Sequence, residues 1–275
     1  MSWPIHRPTL SGSWYPGSKE RIDEFLQSVD LDKVPRTAWA AIGPHAGWVF
    51  SGKGAARAVA SLAERETIIL IGGHLHPSQG VQILPYSGYA TPAGRVESDL
   101  SFIEILREEI DLEENPQADN TTEVFLPLIA ALRPGVRLIV LRAPPSKQVS
   151  ALVEAIERSS ARSGRDPGIL ASTDLTHYGD PYGFTPRGDA SVAIDWVKEE
   201  NDRALIDAAL NLDWRGVIQA GVERRAACSG AAAAAVYYAA RRGATRGELL
   251  SYHTSYDLRP GDIIVGYGVI SFPQA

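Results

Sequence analysis

Cysteine occurs once in this 275-residue chain, at Cys228, so no internal disulfide can form and a disulfide-stapled fold is excluded. An excess of positive charge is missing too. The 27 Lys and Arg face 33 Asp and Glu, for a net charge of −6, which argues against a nucleic-acid partner that would need a basic face. An anionic small molecule stays compatible, because local charge in a cleft can differ from the total. No apolar run approaches the roughly 18 residues of a membrane helix. The start, Met1 to Pro8, lacks the basic-then-apolar order of a signal peptide. A cytoplasmic protein with no membrane partner is the expectation. Also absent are a phosphate loop, a dinucleotide fingerprint and a nucleophile elbow; Gly52-Lys53-Gly54 follows Ser51 rather than closing a phosphate loop.

What is present is an alternation of strand and helix patterns. Residues 18–30 carry Ile22, Phe25, Leu26 and Val29 at helical spacing, with Ser18 placed to cap them. Strands are expected at 38–43, 67–71, 81–84, 136–141 and 168–172, and at 248–255 and 263–272 in the tail. Helices are expected at 52–64, 97–110, 120–132, 148–161, 189–210, 213–222 and 229–242. Asn120 and Glu123 have the spacing of a capping box, with Asn120 as the cap. This order predicts an α/β fold of one domain over residues 1–275, a mixed sheet covered by helices on both faces.

The few histidines sit mostly at abrupt element ends. His45 follows Pro44, which turns the chain sharply out of its strand, and Ala46-Gly47 leave room for a ligand. The ring can equally serve a neighbouring loop. Gly72-Gly73-His74 repeats the arrangement after the next strand, and His76, two residues on, points the opposite way in extended chain. One of this pair is expected at a site and the other on the surface. Asp174 and His177, three apart, would share one face of a helical turn, where the carboxylate can orient the imidazole or join it; an Asp cap beside an exposed histidine is the plain alternative. Cys228 stands where an alanine-rich helix begins. Unpaired amides there would lower its pKa and suit a nucleophile or metal ligand, although burial as a small hydrophobe is the commoner fate of a free cysteine.

Taken together, Gly12-Ser13-Trp14-Tyr15, Pro44-His45-Ala46-Gly47, Glu123 with Leu126-Pro127, Ser172-Thr173-Asp174-Leu175-Thr176-His177, Cys228-Ser229-Gly230, Thr254-Ser255-Tyr256-Asp257 and Gly266-Tyr267-Gly268 resemble, in order, the Memo family. Its bacterial and archaeal members are also called the B component of the AmmeMemoRadiSam system. The resemblance implies a fold similar to that of class III extradiol dioxygenases, which use non-haem Fe(II). It implies metal ligands at His45, Cys228 and His74 or His76, with His74 favoured because it stays closer to the strand end. It places Asp174 and His177 beside the metal as an acid–base pair, with Glu123 orienting one of them. The chain departs from the family pattern in four places: Gly72-Gly73-His74-Leu75-His76 stands where a Gly-Pro-x-His turn is usual, Asn120 and Phe125 each stand where a histidine is common, and Ser229-Gly230-Ala231 replaces a Gly-Arg stretch.

The leading expectation is therefore a mononuclear Fe(II) oxidoreductase, dioxygenase-like, acting on a small molecule; copper and zinc also suit two imidazoles and a thiolate. A non-catalytic scaffold that keeps the pocket is the second reading, favoured if Trp14, Trp48 or Tyr178 form an exposed apolar patch. Metal-free nucleophilic catalysis by Cys228 with His177 as base is the third.

Overall fold

The computed structural model describes residues 3–226 and 228–274. Among these, twelve strands form one mixed sheet. They are β1 (Ile5–His6), β2 (Ala38–Gly43), β3 (Thr67–Gly72), β4 (Gln82–Ile83), β5 (Gly88–Thr91), β6 (Gly94–Ser98), β7 (Glu113–Glu114), β8 (Arg137–Arg142), β9 (Gly168–Ser172), β10 (His177–Tyr178), β11 (Glu248–Thr254) and β12 (Ile264–Pro273). The helices are α1 (Lys19–Gln27), α2 (Trp48–Ser61), α3 (Leu100–Glu109), α4 (Asn120–Glu123), α5 (Leu126–Leu132), α6 (Gln148–Ser163), α7 (Ala190–Trp196), α8 (Asp202–Leu210), α9 (Trp214–Glu223), α10 (Ser229–Arg241) and α11 (Ser255–Leu258).

The centre of the sheet is parallel, in the order β6-β8-β3-β9-β2, and β12 closes one side antiparallel to β2. The sequence of β3, Thr-Ile-Ile-Leu-Ile-Gly, is buried at every position. It shows no alternation because helices cover both faces of the sheet. On one face α3, α6, α8, α9 and α10 supply a core with Ile42, Ile69, Ile139 and Ile169. On the other, α1, α2 and α5 pack over Ala41, Ile68, Leu70 and Leu138. The alanines Ala231 to Ala235 of α10 are all fully buried; their small side chains let the helix lie close over the strands.

Register decides where a site can form. Gly43 pairs with Ser172, Ile71 with Ala171, and Gly72 with Arg142. Four parallel strands thus end at one level, and the chains leaving them face a common crevice, where ligands bind in open α/β sheets.

Several local expectations are corrected. The helix expected from residue 97 starts at Leu100, because the buried Asp99 caps it through the Phe102 amide (3.2 Å), and residues 94–98 form β6 of a hairpin with β5. Helix α2 begins at Trp48, four residues before the expected start, directly behind His45. The cap of α4 is Asp119, not Asn120, with its carboxylate accepting from the Thr121 amide (3.0 Å). Residues 120–132 are two helices, since Pro127 has no N–H for the Glu123 carbonyl and is tolerated only in the first turn of α5. Between α7 and α8 the helix widens into a π turn over Val197–Asn201, which leaves the adjacent Asn201 and Asp202 both buried.

Asp202 anchors the crossing of the loop after β9 with β12. It accepts from the Thr176 amide (2.8 Å), the Thr176 hydroxyl and the Tyr252 hydroxyl (2.7 Å). Gly266 passes so close that a Cβ there would lie 2.0 Å from Asp202 Oδ2. Burial raises the Asp202 carboxyl from an ordinary 3.8 to about 6, against the pull of these donors. The folded state therefore holds this proton more tightly than the unfolded chain. The resulting stabilisation is complete below about pH 4 and is lost as pH rises through 6, roughly 3 kcal/mol in all. Asn at this position mimics the protonated acid, so the stability of wild type relative to Asp202→Asn should fall by that order between pH 4 and 7 in urea unfolding. A pH-independent difference would contradict it.

Candidate metal centre

His45 leaves β2 through Pro44 and turns back into the crevice. Its amide donates to Asp174 Oδ1 (2.7 Å), and Nδ1 pairs with the Ser172 hydroxyl at 2.8 Å. The residue is 1% exposed, yet Nε2 has no hydrogen-bond partner among the described residues; Asp174 Oδ2 lies 3.8 Å away. A buried ring nitrogen with nothing to accept from or donate to is costly unless something else satisfies it.

His74 leaves β3 two residues beyond its end. Gly73 is required there: its φ is +100°, and a Cβ would come within 2.5 Å of the Arg142 side chain. The turn is bracketed. Thr121 Oγ1 accepts from the Gly73 amide (2.9 Å) and donates to Asp119 Oδ1 (2.5 Å), while Asp119 Oδ2 pairs with Arg142 at 3.3 Å. The rings of His45 and His74 stand perpendicular, with centroids 5.3 Å apart.

Cys228 reaches the same point from the start of α10. The first turn of α10 abuts the chain leaving β8, where a Cβ on Gly230 would sit 2.4 Å from the Ala143 carbonyl oxygen. The departure at Ser229-Gly230-Ala231 thus permits a tight approach. Cys228 Sγ lies 3.5 Å from His74 Nδ1. Donor atoms of His45, His74 and Cys228 all fall within 4.8 Å of one another. His74 and His76 are both exposed, but His76 turns away from this point and pairs with Ser78 (2.7 Å).

The expected lowering of the Cys228 pKa is corrected. Burial pushes the thiol well up, reinforced by Asp119 and Asp174, and the opposing pull of Arg142 and the Gly73 amide is smaller. The helix end does not help as foreseen: Cys228 itself is left-handed, at φ +56°. That conformation costs a non-glycine residue about 1–3 kcal/mol and persists only where the surroundings fix it.

Asp174 and His177 do not share a helical turn. Asp174 lies in the loop after β9 and His177 begins β10, paired with Val265 of β12. Both still face the crevice. Burial raises Asp174 to about 6, although His177 and the His45 and Ala46 amides oppose this. Burial likewise lowers His177, against the attraction of Asp174. Its Nδ1 lies 3.1 Å from the Leu175 carbonyl, which can only accept a hydrogen bond, so Nδ1 carries the hydrogen and Nε2 is the free base. Burial also holds His45 well below the usual imidazole range, helped by His74 and His177. Neutral imidazoles near neutral pH are the form that binds metals.

These groups border a cavity of about 380 Å³ whose walls include His45, His74, Asn120, Asp174 and His177, with Trp14, Phe50, Tyr182 and Tyr267 as its aromatic surface. Glu123 is not on it. Its carboxylate, 0% exposed, accepts from the Thr9 amide (2.7 Å) and hydroxyl (2.5 Å), the Leu10 amide (2.6 Å) and the Tyr15 hydroxyl (2.9 Å), with His6 Nε2 3.7 Å away. The role of orienting Asp174 or His177 is therefore corrected: Glu123 ties down the N-terminal segment that carries Trp14. Trp48 and Tyr178 are buried and only Trp14 is substantially exposed, so these three form no surface patch. Phe125 is buried in the core and Asn120 donates to the His45 carbonyl (3.2 Å). The supporting residues Ser172, Asp119, Thr121, Arg142 and Tyr182 escaped sequence analysis. A Ser or Thr beside a candidate ligand and a capping Asp were the available signals.

Residues 6–271 match the family described as Memo-like protein. A MEMO1 family protein of Thermococcus onnurineus is 32% identical, with 98% of this chain and 99% of the relative covered. One from Pyrococcus abyssi is 29% identical over 97% and 98%, and one from Methanosarcina barkeri 30% identical over 97% and 99%. The likeness runs through every element that ends at the crevice, from β2 to β12, so the chain belongs to the Memo-like family.

Proposed function

We propose that this protein holds a single transition-metal ion, Fe(II) in the working state, through His45, His74 and Cys228, and uses it for oxygen-dependent oxidation of a small molecule. The observation that carries this reading is the unpartnered, buried Nε2 of His45 within 4.8 Å of donor atoms from His74 and Cys228. Three donors from three different elements converge where no hydrogen bond satisfies the innermost one. Two imidazoles and one sulfur suit a borderline-soft divalent ion. When bound, such an ion supplies one-electron chemistry and open positions for exogenous ligands. Dioxygenase-like chemistry rests on the family's fold resemblance to extradiol dioxygenases.

The protein's own groups do the rest. Ser172 fixes the ring of His45 through Nδ1, and the bracket of Asp119, Thr121 and Arg142 fixes the turn that carries His74. Such outer partners orient ligands and tune affinity. His177, neutral with Nε2 toward the cavity, takes a proton from bound substrate, and Asp174 stabilises the imidazolium that forms. The aromatic walls exclude water and seat an apolar or aromatic substrate body. Nucleophilic catalysis by Cys228 with His177 as base gains no support, since the nearest imidazole to the sulfur is His74 and the thiol is held protonated.

Elemental analysis of anaerobically purified protein should return about one iron per chain, and nitric oxide, a stand-in for dioxygen, should produce a new paramagnetic signal at the site. Protein without a bound transition metal would contradict the proposal. Stoichiometric metal that ignores nitric oxide would favour the scaffold reading.

A further inference from the structure

A second recess, of about 360 Å³, shares three side chains with the cavity already described: His74, His177 and Tyr182. Its remaining walls come from residues 221–226, chiefly Val222 and Arg225. The two recesses therefore meet at His74, His177 and Tyr182, which places the candidate ligand His74 at their junction. Their chemistry differs. The first is aromatic, has Asp174 as its acidic group and contains no Lys or Arg. Among the described residues the second has Arg225 as its one formally charged side chain.

Arg225 is built into this position. It is one of three non-glycine residues with positive φ among the described residues, at +61°. Its carbonyl accepts from the His177 amide (3.1 Å), and the flanking residues are held by the Thr176–Ala226 bridge and by Asn201, which donates to the Arg224 carbonyl (3.0 Å). Its guanidinium donates to the Tyr182 carbonyl (2.9 Å), and the ring of Tyr182 packs edge-on against His177 with centroids 4.9 Å apart. One nitrogen is thus used to aim the side chain along the recess, and the other donors stay available. An arginine fork matches a planar carboxylate in two parallel hydrogen bonds.

We propose that Arg225 is the anion-recognition residue of this crevice, and that the substrate is a small carboxylic acid with an aromatic or apolar body. The carboxylate sits on Arg225, the body lies between Trp14, Phe50 and Tyr267, and the linking atoms pass His74 and His177. A single guanidinium suits a single negative charge, which favours a carboxylate over a phosphate dianion. The assignment deepens the oxidoreductase reading by naming a substrate class, but the binding preference belongs to the chain itself and does not need the metal.

The test is calorimetric titration of the full chain, metal-free and Fe(II)-loaded under anaerobic conditions, with 3-phenylpropanoate, 3-phenylpropanamide and 2-phenylethylphosphonate. The carboxylate should bind about 10- to 100-fold more tightly than the amide in both forms, as expected for a charge-assisted pair, and more tightly than the phosphonate. Arg225→Gln should erase the preference without changing metal content, and Arg225→Lys should restore part of it. Equal binding of acid and amide, binding of neither, a phosphonate preference, or a preference that survives Arg225→Gln would each overturn the proposal. A chain that prefers the acid when metal-free but takes up no iron would leave Arg225 standing and remove the oxygen chemistry.

Discussion

Cys228→Ala is expected to weaken Fe(II) binding by at least about 100-fold. Loss of an outer partner alone typically costs 10- to 100-fold, and Cys228 is one of three convergent donors among the described residues. Serine should not rescue, because a hydroxyl is a harder and far more basic ligand. The pH dependence carries a second signature. In the metal-free protein burial keeps the thiol protonated well above its usual range, while His45 is held neutral. Metal uptake must therefore expel the thiol proton while His45 gives up none, so affinity should climb by at least about tenfold per pH unit across neutrality. Alanine should flatten that slope as well as lower the affinity. Chelator competition between pH 6 and 8 measures both, and a flat profile in wild type would count against a thiolate ligand.

Glu123→Ala is expected to give the largest loss of stability, on the order of 3–5 kcal/mol. Four donors converge on this fully buried carboxylate, and each is left unpaired when it goes, at about 1–3 kcal/mol apiece before relaxation. Part of the cost is avoided if residues 9–15 release, and that release removes Trp14 from the cavity wall. Hydrogen exchange of the Thr9 and Leu10 amides should then rise toward that of an open segment while the amides of β3 remain protected. Tyr15→Phe, which deletes one of the four donors, should cost about 1 kcal/mol and leave exchange at Thr9 unchanged. Full protection of Thr9 in Glu123→Ala would refute this role.

How much of this was legible in the sequence follows from what each signal depends on. Strands β2, β3 and β9 are short apolar runs closed by Gly, Pro or polar residues, and local pattern alone placed them within a residue of their observed bounds. With them came the positions of His45 and His74, since a residue that leaves a parallel strand must face the same edge as its neighbours. The Asp174–His177 turn was misjudged because spacing of three says helix only where backbone bonds are free, and here the Leu175 and Thr176 backbones pair with Gly266 and Asp202. The thiol's shift had the wrong sign for a similar reason: a helix start is visible in sequence, but the degree of burial that outweighs it is a tertiary property. Glu123 had suitable chemistry, and only the fold shows that its partners are Thr9, Leu10 and Tyr15, more than a hundred residues away.

X-ray absorption at the iron edge of anaerobically reconstituted protein tests the central claim most directly. A site made by His45, His74 and Cys228 predicts one sulfur and at least two imidazole nitrogens around the metal, with the sulfur contribution gone in Cys228→Ala. A wild-type spectrum fitted by nitrogen and oxygen alone, unchanged in Cys228→Ala, would contradict it.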